Sequence, residues 1–212
     1  FTSTAITGYY FESTEKFEEN LKILLSFVSV PWFTKESVDK EQGIIGQEIR
    51  MIEDDPENQV FYGMLEALYE HNPVRVSIAG TVESIAEITA ETLYACHAAF
   101  YNPGNMTLCV AGNVDPRRVC EIAREVLPKE GLRDIPRDYG GEEPEQAFRP
   151  ETVREMAVST PIFQLGWKAD PAPLGEEHMR RQFMGELCCE AVFGTSTPLY
   201  ASLYSKGLVN NN

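Results

Sequence analysis

Residues 35–53 repeat their apolar side chains with the period of a helix, and that stretch limits the rest of the chain more than any other. Placed at about 100° per residue, Val38, Ile44, Ile45, Ile49, Met51 and Ile52 fall in one arc of roughly 160°, the width of a stripe that faces a core. Lys40, Gln47, Arg50, Glu53 and Asp54 take the opposite side. Glu41 and Glu48 lie near the centre of the apolar arc, two turns apart and about 10.5 Å along the axis. A carboxylate sealed in an apolar interior costs several kcal/mol unless a cation, a metal or hydrogen bonds compensate it. Two readings stay open at this point. Each glutamate pairs with an arginine or caps a neighbouring helix, or one or both serve a metal or acid–base site in a crevice.

Other helices follow from similar signals. Phe17, Leu21, Leu24, Leu25 and Val28 recur at helical spacing ahead of Pro31, and a further helix is expected over about 56–70. Leu93, Cys96, His97 and Phe100 share one side of another. Asp115-Pro116 is an N-cap followed by proline at the first helical position, opening a helix to about Val126. Met179, Phe183, Leu187 and Ala191 repeat after Gly175, and Thr197-Pro198 caps a short last helix. Three segments read as extended: residues 1–12, residues 106–112 as a buried strand, and about 157–168. Strands and helices mix without regular alternation, so the expected fold class is α+β, not a doubly wound sheet. Prolines, glycines and charges interrupt residues 127–150, the one credible linker, which divides the chain into 1–126 and 151–212.

The 212 residues carry 33 acidic against 18 basic side chains, a formal −15 that repels phosphate backbones and argues against a nucleic-acid partner. No run approaches the roughly 18–20 apolar residues of a membrane helix, so no membrane partner is expected. Cys96, Cys109, Cys120, Cys188 and Cys189 include no CxxC pair; they read as buried thiols of a reducing compartment, which makes the expected location cytoplasmic. His71, His97 and His178 form no HxxH pair and make no histidine-rich metal site. His97 reads as a satisfied core histidine, and His71 as a partner for the dipole at a helix end. The run Glu142-Glu143-Pro144-Glu145 reads as linker charge without chemistry. The chain opens inside an extended segment with no initiator methionine, and it is expected to be a piece of something longer.

The stretch Glu41-Gln-Gly-Ile-Ile-Gly-Gln-Glu48 resembles the E-x6-E element of the insulinase and pitrilysin-like zinc peptidases, the inverted zincins. Residues 1–12 are similar to the family strand that follows its substrate-binding Asn-Ala pair. Ala99-Phe-Tyr-Asn-Pro-Gly-Asn-Met-Thr-Leu-Cys-Val-Ala-Gly-Asn113 is similar to the family's helix, turn and strand F/H-Y-x-P-x-N-M-x-L-x-x-x-G-x. His71-Asn-Pro-Val-Arg75 and Gly80-Thr-Val-Glu-Ser-Ile85 resemble the intervening loop of bacterial members, and Leu203-Tyr-Ser-Lys-Gly-Leu208 an L-x-x-x-G-L element early in a second homologous domain. The likeness covers nearly the whole chain. It implies helices layered on a mainly antiparallel sheet, a first metallopeptidase-like domain running to 126, and the start of a second copy from 151. It also implies Glu48 as a zinc ligand, Glu41 as an acidic neighbour supporting the histidine ligands, and Phe1 and Thr2 beside the edge that binds a peptide substrate. Zinc would lower the pKa of its bound water and polarise the scissile carbonyl.

The family's His-x-x-Glu-His, source of two zinc ligands and the general base, occurs nowhere in this sequence. The expectation is an incomplete chain of a bacterial-type, zinc-dependent endopeptidase acting on peptides or unfolded polypeptides. It would be inactive alone, with zinc held in the complete protein, and would assemble as a homo-oligomer or with a homologous subunit. The alternative is a non-catalytic subunit that binds peptide or scaffolds an active homologue. Two carboxylates on an apolar stripe weigh toward the active parent, since without a metal they would cost energy.

Overall fold

The computed structural model describes all residues except 130–134, 137, 139, 140, 171, 172, 211 and 212. The described residues form eight α-helices: α1 (Phe17–Ser29), α2 (Lys35–Asp54), α3 (Pro56–Leu68), α4 (Val82–Ala86), α5 (Ala90–Phe100), α6 (Pro116–Val126), α7 (Glu176–Phe193) and α8 (Pro198–Ser205). They group into two compact units, Phe1–Trp167 and Lys168–Asn212. The expected linker falls partly on residues 130–134, 137, 139 and 140, which lie outside the described residues.

Most helices start where the sequence places a cap. The Thr34 hydroxyl accepts from the Ser37 N–H while the Ser37 hydroxyl accepts from the Thr34 N–H, a reciprocal box that opens α2. Asp115 accepts from the Arg117 N–H with Pro116 at the first position of α6, and Thr197 with Pro198 does the same for α8.

In the first unit α1 packs on α6 through Leu21, Leu25, Val119 and Ile122, ringed by Phe11, Phe17 and Val126. Leu21 is 1% exposed and Ile122 0%. At the rim Arg118 donates to both carboxylate oxygens of Glu18, at 2.7 and 3.0 Å, and to Glu121 at 3.1 Å. The Arg118 hydrogen bonds hold the Glu18 carboxyl below the usual carboxylate range. A second packed region joins α2, α3 and α4, with Val38, Ile49, Leu65, Leu68 and Ile85 buried. Here the Gln42 amide donates to the carbonyls of Ile85 and Ile88, at 2.9 and 2.8 Å, and so closes the open C-terminal end of α4.

The antiparallel sheet of the expected α+β fold is absent among the described residues; strand pairing there is one isolated antiparallel bridge, Thr2 with Thr7. The reason is the lack of a neighbour. β-branched and apolar content fits a segment to a pleated, half-buried surface, but a strand forms only where another strand accepts its hydrogen bonds. Residues 1–8 close on themselves: the Phe1 amino group donates to the Gly8 carbonyl and the Gly8 N–H to the Phe1 carbonyl, at 3.0 and 2.9 Å. Residues 106–112, expected as a buried strand, leave Leu108 and Val110 exposed. Residues 157–168 leave Val158, Phe163, Leu165 and Trp167 exposed.

In the second unit neither α7 nor α8 buries a residue, and Met179, Phe183 and Leu187 of α7 stay more than half exposed. The cysteines likewise depart from expectation. All five are free and exposed thiols.

Candidate functional site

The buried side of α2 runs through Val38, Gln42, Gly46 and Ile49. That line is displaced from the centre of the apolar arc, and Glu41 and Glu48 sit roughly 100° round the helix from it. Both glutamates are exposed. Ile44 and Met51 flank them at 49% and 74% exposure. Glu41, Ile44, Glu48 and Met51 therefore form an open strip at i, i+3, i+7 and i+10, carboxylate alternating with apolar side chain. The stripe is wide enough for two neighbours, and α3 and α4 cover only one flank of it. The carboxylates are thus not sealed in apolar surroundings, and desolvation cannot be what obliges them to hold a metal.

A catalytic zinc takes three protein ligands. Among the described residues no three His, Cys, Asp or Glu side chains gather closely enough to hold a metal ion. The histidines are placed elsewhere. His97, half-buried on α5, has Nε2 2.9 Å from the Val28 carbonyl at the end of α1 and stacks on Tyr101 with ring centroids 4.7 Å apart. This is the satisfied histidine that its apolar neighbours foretell. His71 follows the end of α3, exposed, with Nε2 3.8 Å from Glu70. The α2 pair is one part of a metal site at most, and these residues do not complete one.

Phe1 and Thr2 lie in the N-terminal hairpin, both exposed. Phe1 and Gly8 form the hydrogen-bonded pair, so Thr2 sits in the non-bonded pair with Thr7 and turns its own N–H and C=O outward. The hairpin is tied to α5 through Tyr9, whose hydroxyl lies 2.8 Å from that of Tyr101. Burial and that hydrogen bond push the Tyr101 hydroxyl up to about 12.

Sequence reasoning missed Glu143. Its carboxylate accepts the backbone N–H groups of Glu70, His71 and Asn72, each at 2.8 Å, in the turn after α3. No periodicity marks such a contact, since the acceptor is a side chain some seventy residues away from three main-chain donors. Among the described residues no helix is long and apolar enough to cross a membrane.

Comparison with known proteins places these features in context. The family model described as Peptidase M16 inactive domain matches residues 87–211, and the one described as Insulinase (Peptidase family M16) matches residues 1–82. The chain is 43% identical over 213 residues to the uncharacterised zinc protease YmfH of Bacillus subtilis, covering 99% of this chain and 50% of that protein. An uncharacterised zinc protease of Rickettsia felis is 28% identical over 132 residues, covering 60% of this chain and 32% of that protein. The crystal structure of an M16-like protein from Alicyclobacillus acidocaldarius superposes with a TM-score of 0.77 at 33% identity, over 93% of this chain and 47% of the other. A protease from Helicobacter pylori shares the fold at a TM-score of 0.68 and 17% identity. The chain spans about half the length of the Bacillus subtilis relative and of the Alicyclobacillus protein.

Proposed function

Because the chain belongs to the M16 family of insulinase-like peptidases, we propose that it forms part of a zinc-dependent endopeptidase acting on peptides or unfolded polypeptides. Its contribution is Glu48 as a carboxylate ligand, with Glu41 two turns away orienting ligands supplied from outside these 212 residues. The observation that carries this reading is the open strip on α2: both carboxylates face outward between Ile44 and Met51, where a cation brought by another segment can reach them. That relatives bear the name zinc protease supports the choice of metal. The outward N–H and C=O of Thr2 offer main-chain partners to an extended peptide, with Phe1 alongside. The five free thiols suit a reducing, cytoplasmic setting, and the uncovered apolar residues suit assembly with a homologous segment or subunit.

The test compares this chain with a longer form of the protein. The 212 residues alone should lose zinc on dialysis and cut no peptide. The longer form should hold one zinc per site and cleave, and Glu48→Gln should remove the metal and the activity together. Wild-type zinc content in the Glu48→Gln protein would overturn the assignment.

A second reading keeps one specific observation in its favour. Residues 87–211 match a domain described as inactive, and exposed carboxylates carry no desolvation penalty that a metal must relieve. A non-catalytic subunit that binds peptide beside an active homologue would, in the longer form, bind peptide while holding no zinc.

A further inference from the structure

The segment from the end of the proline- and glycine-rich stretch onward runs along α3 without forming a strand. The last carbonyls of a helix lack partners within it, and here the segment supplies them: the Phe148 N–H donates to the Leu68 carbonyl at 3.2 Å and the Arg149 N–H to Ala67 at 2.8 Å. Further along, the Thr152 hydroxyl donates to the Gly63 carbonyl at 3.0 Å, and Arg154 binds Glu66 at 2.9 Å and Gln59. A side chain at Gly63 would place its Cβ 3.0 Å from the Thr152 hydroxyl, so the two elements approach closely here. At the leading end stands Glu143, whose Oε1 takes the Glu70 N–H and whose Oε2 takes those of His71 and Asn72. Three successive main-chain donors around one carboxylate form a concave anion site, and charge-assisted bonds of this kind are about twice as strong as neutral ones.

We infer that Glu143 is a latch: its carboxylate, docked in the three-amide turn, holds residues 143–154 as a strap along α3, and undocking it frees the strap and uncaps the helix. The strap reaches beyond α3. Gln59, held by Arg154, donates to the Ile52 carbonyl at 3.5 Å near the end of α2, so a loosened strap also loosens the α2–α3 corner. The inference does not depend on the zinc reading, for it concerns hydrogen bonds that zinc content leaves untouched.

Amide hydrogen exchange on the chain tests it, with the α1–α6 amides as an internal reference. In Glu143→Gln, which keeps the shape but only one acceptor oxygen, the amides of residues 70–72 should exchange about tenfold faster than in the wild type. Those of Phe148 and Arg149 should accelerate with them. Glu143→Ala should give a larger effect at the same five positions. If the alanine variant also exposes the α1–α6 amides, the glutamine variant decides. Unchanged exchange at 70–72 would sink the latch. Fast exchange at 70–72 with Phe148 and Arg149 still protected would sink it equally, since Glu143 would then cap a turn and hold no strap.

Discussion

Helices α1 and α2 are comparably amphipathic, yet they end in different environments. The stripe of α1 meets α6 and closes, with Leu21 and Ile122 shut off from solvent and Arg118 and Glu18 sealing the edge. The stripe of α2 meets α3 and α4 along one flank and stays open along the other, where Ile44 and Met51 alternate with Glu41 and Glu48. Amphipathicity therefore says that a helix needs cover but not that it has it. The uncovered half is where charged groups and apolar groups share one exposed surface.

The largest effect that separates the two regions should come from Ile122→Ala, which leaves a cavity in the α1–α6 core and should cost about 2–4 kcal/mol in urea unfolding. A loss well under 1 kcal/mol would mean that this pair is not where the stability of the first unit lies. Glu18→Gln should give a smaller, pH-dependent loss. The Glu18 carboxyl ionises more readily in the folded chain than in the unfolded one, so its contribution is present above the ordinary carboxylate pKa of 4.5 and fades as pH falls through the lowered folded value. Wild type and variant should differ in stability at neutral pH and converge in acid; a gap that persists in acid would break the link to Arg118. The smallest effect should come from Met51→Ala and Ile44→Ala on α2, each within about 0.5 kcal/mol in this chain. A loss of about 2 kcal/mol from either would show that the strip is already covered and that the contrast with α1 is false.

The helices were legible because their signals are local. Asp115-Pro116 and Thr197-Pro198 each act within one turn, and each opens the helix that its residues foretell. The sheet was not, because residues 106–112 and 157–168 have the composition of strands, while a ladder depends on a partner that local composition does not specify. On α2 the 3.6-residue period identified one face of the helix correctly as apolar. It placed the glutamates at the centre of the burial, whereas the packing against α3 and α4 shifted the buried line toward Gln42 and Gly46. Gln42 is invisible to a hydrophobic pattern, since what buries it is a pair of carbonyls, those of Ile85 and Ile88. Glu143 escaped for the same reason: a carboxylate among main-chain amides leaves no period in the sequence.

The pairing of α1 with α6 also sets an order of events. Glu18 and Arg118 stand 100 positions apart along the chain, whereas α2, α3 and α4 find one another within about half that distance. As the polypeptide emerges from synthesis, the α2–α3–α4 corner can assemble while α1 still waits with its leucines bare, and long-range closure of this kind comes late and slowly. During that interval Leu21 and Leu25 are exposed to any other sticky chain nearby, so the first helix is a segment that a chaperone would shield.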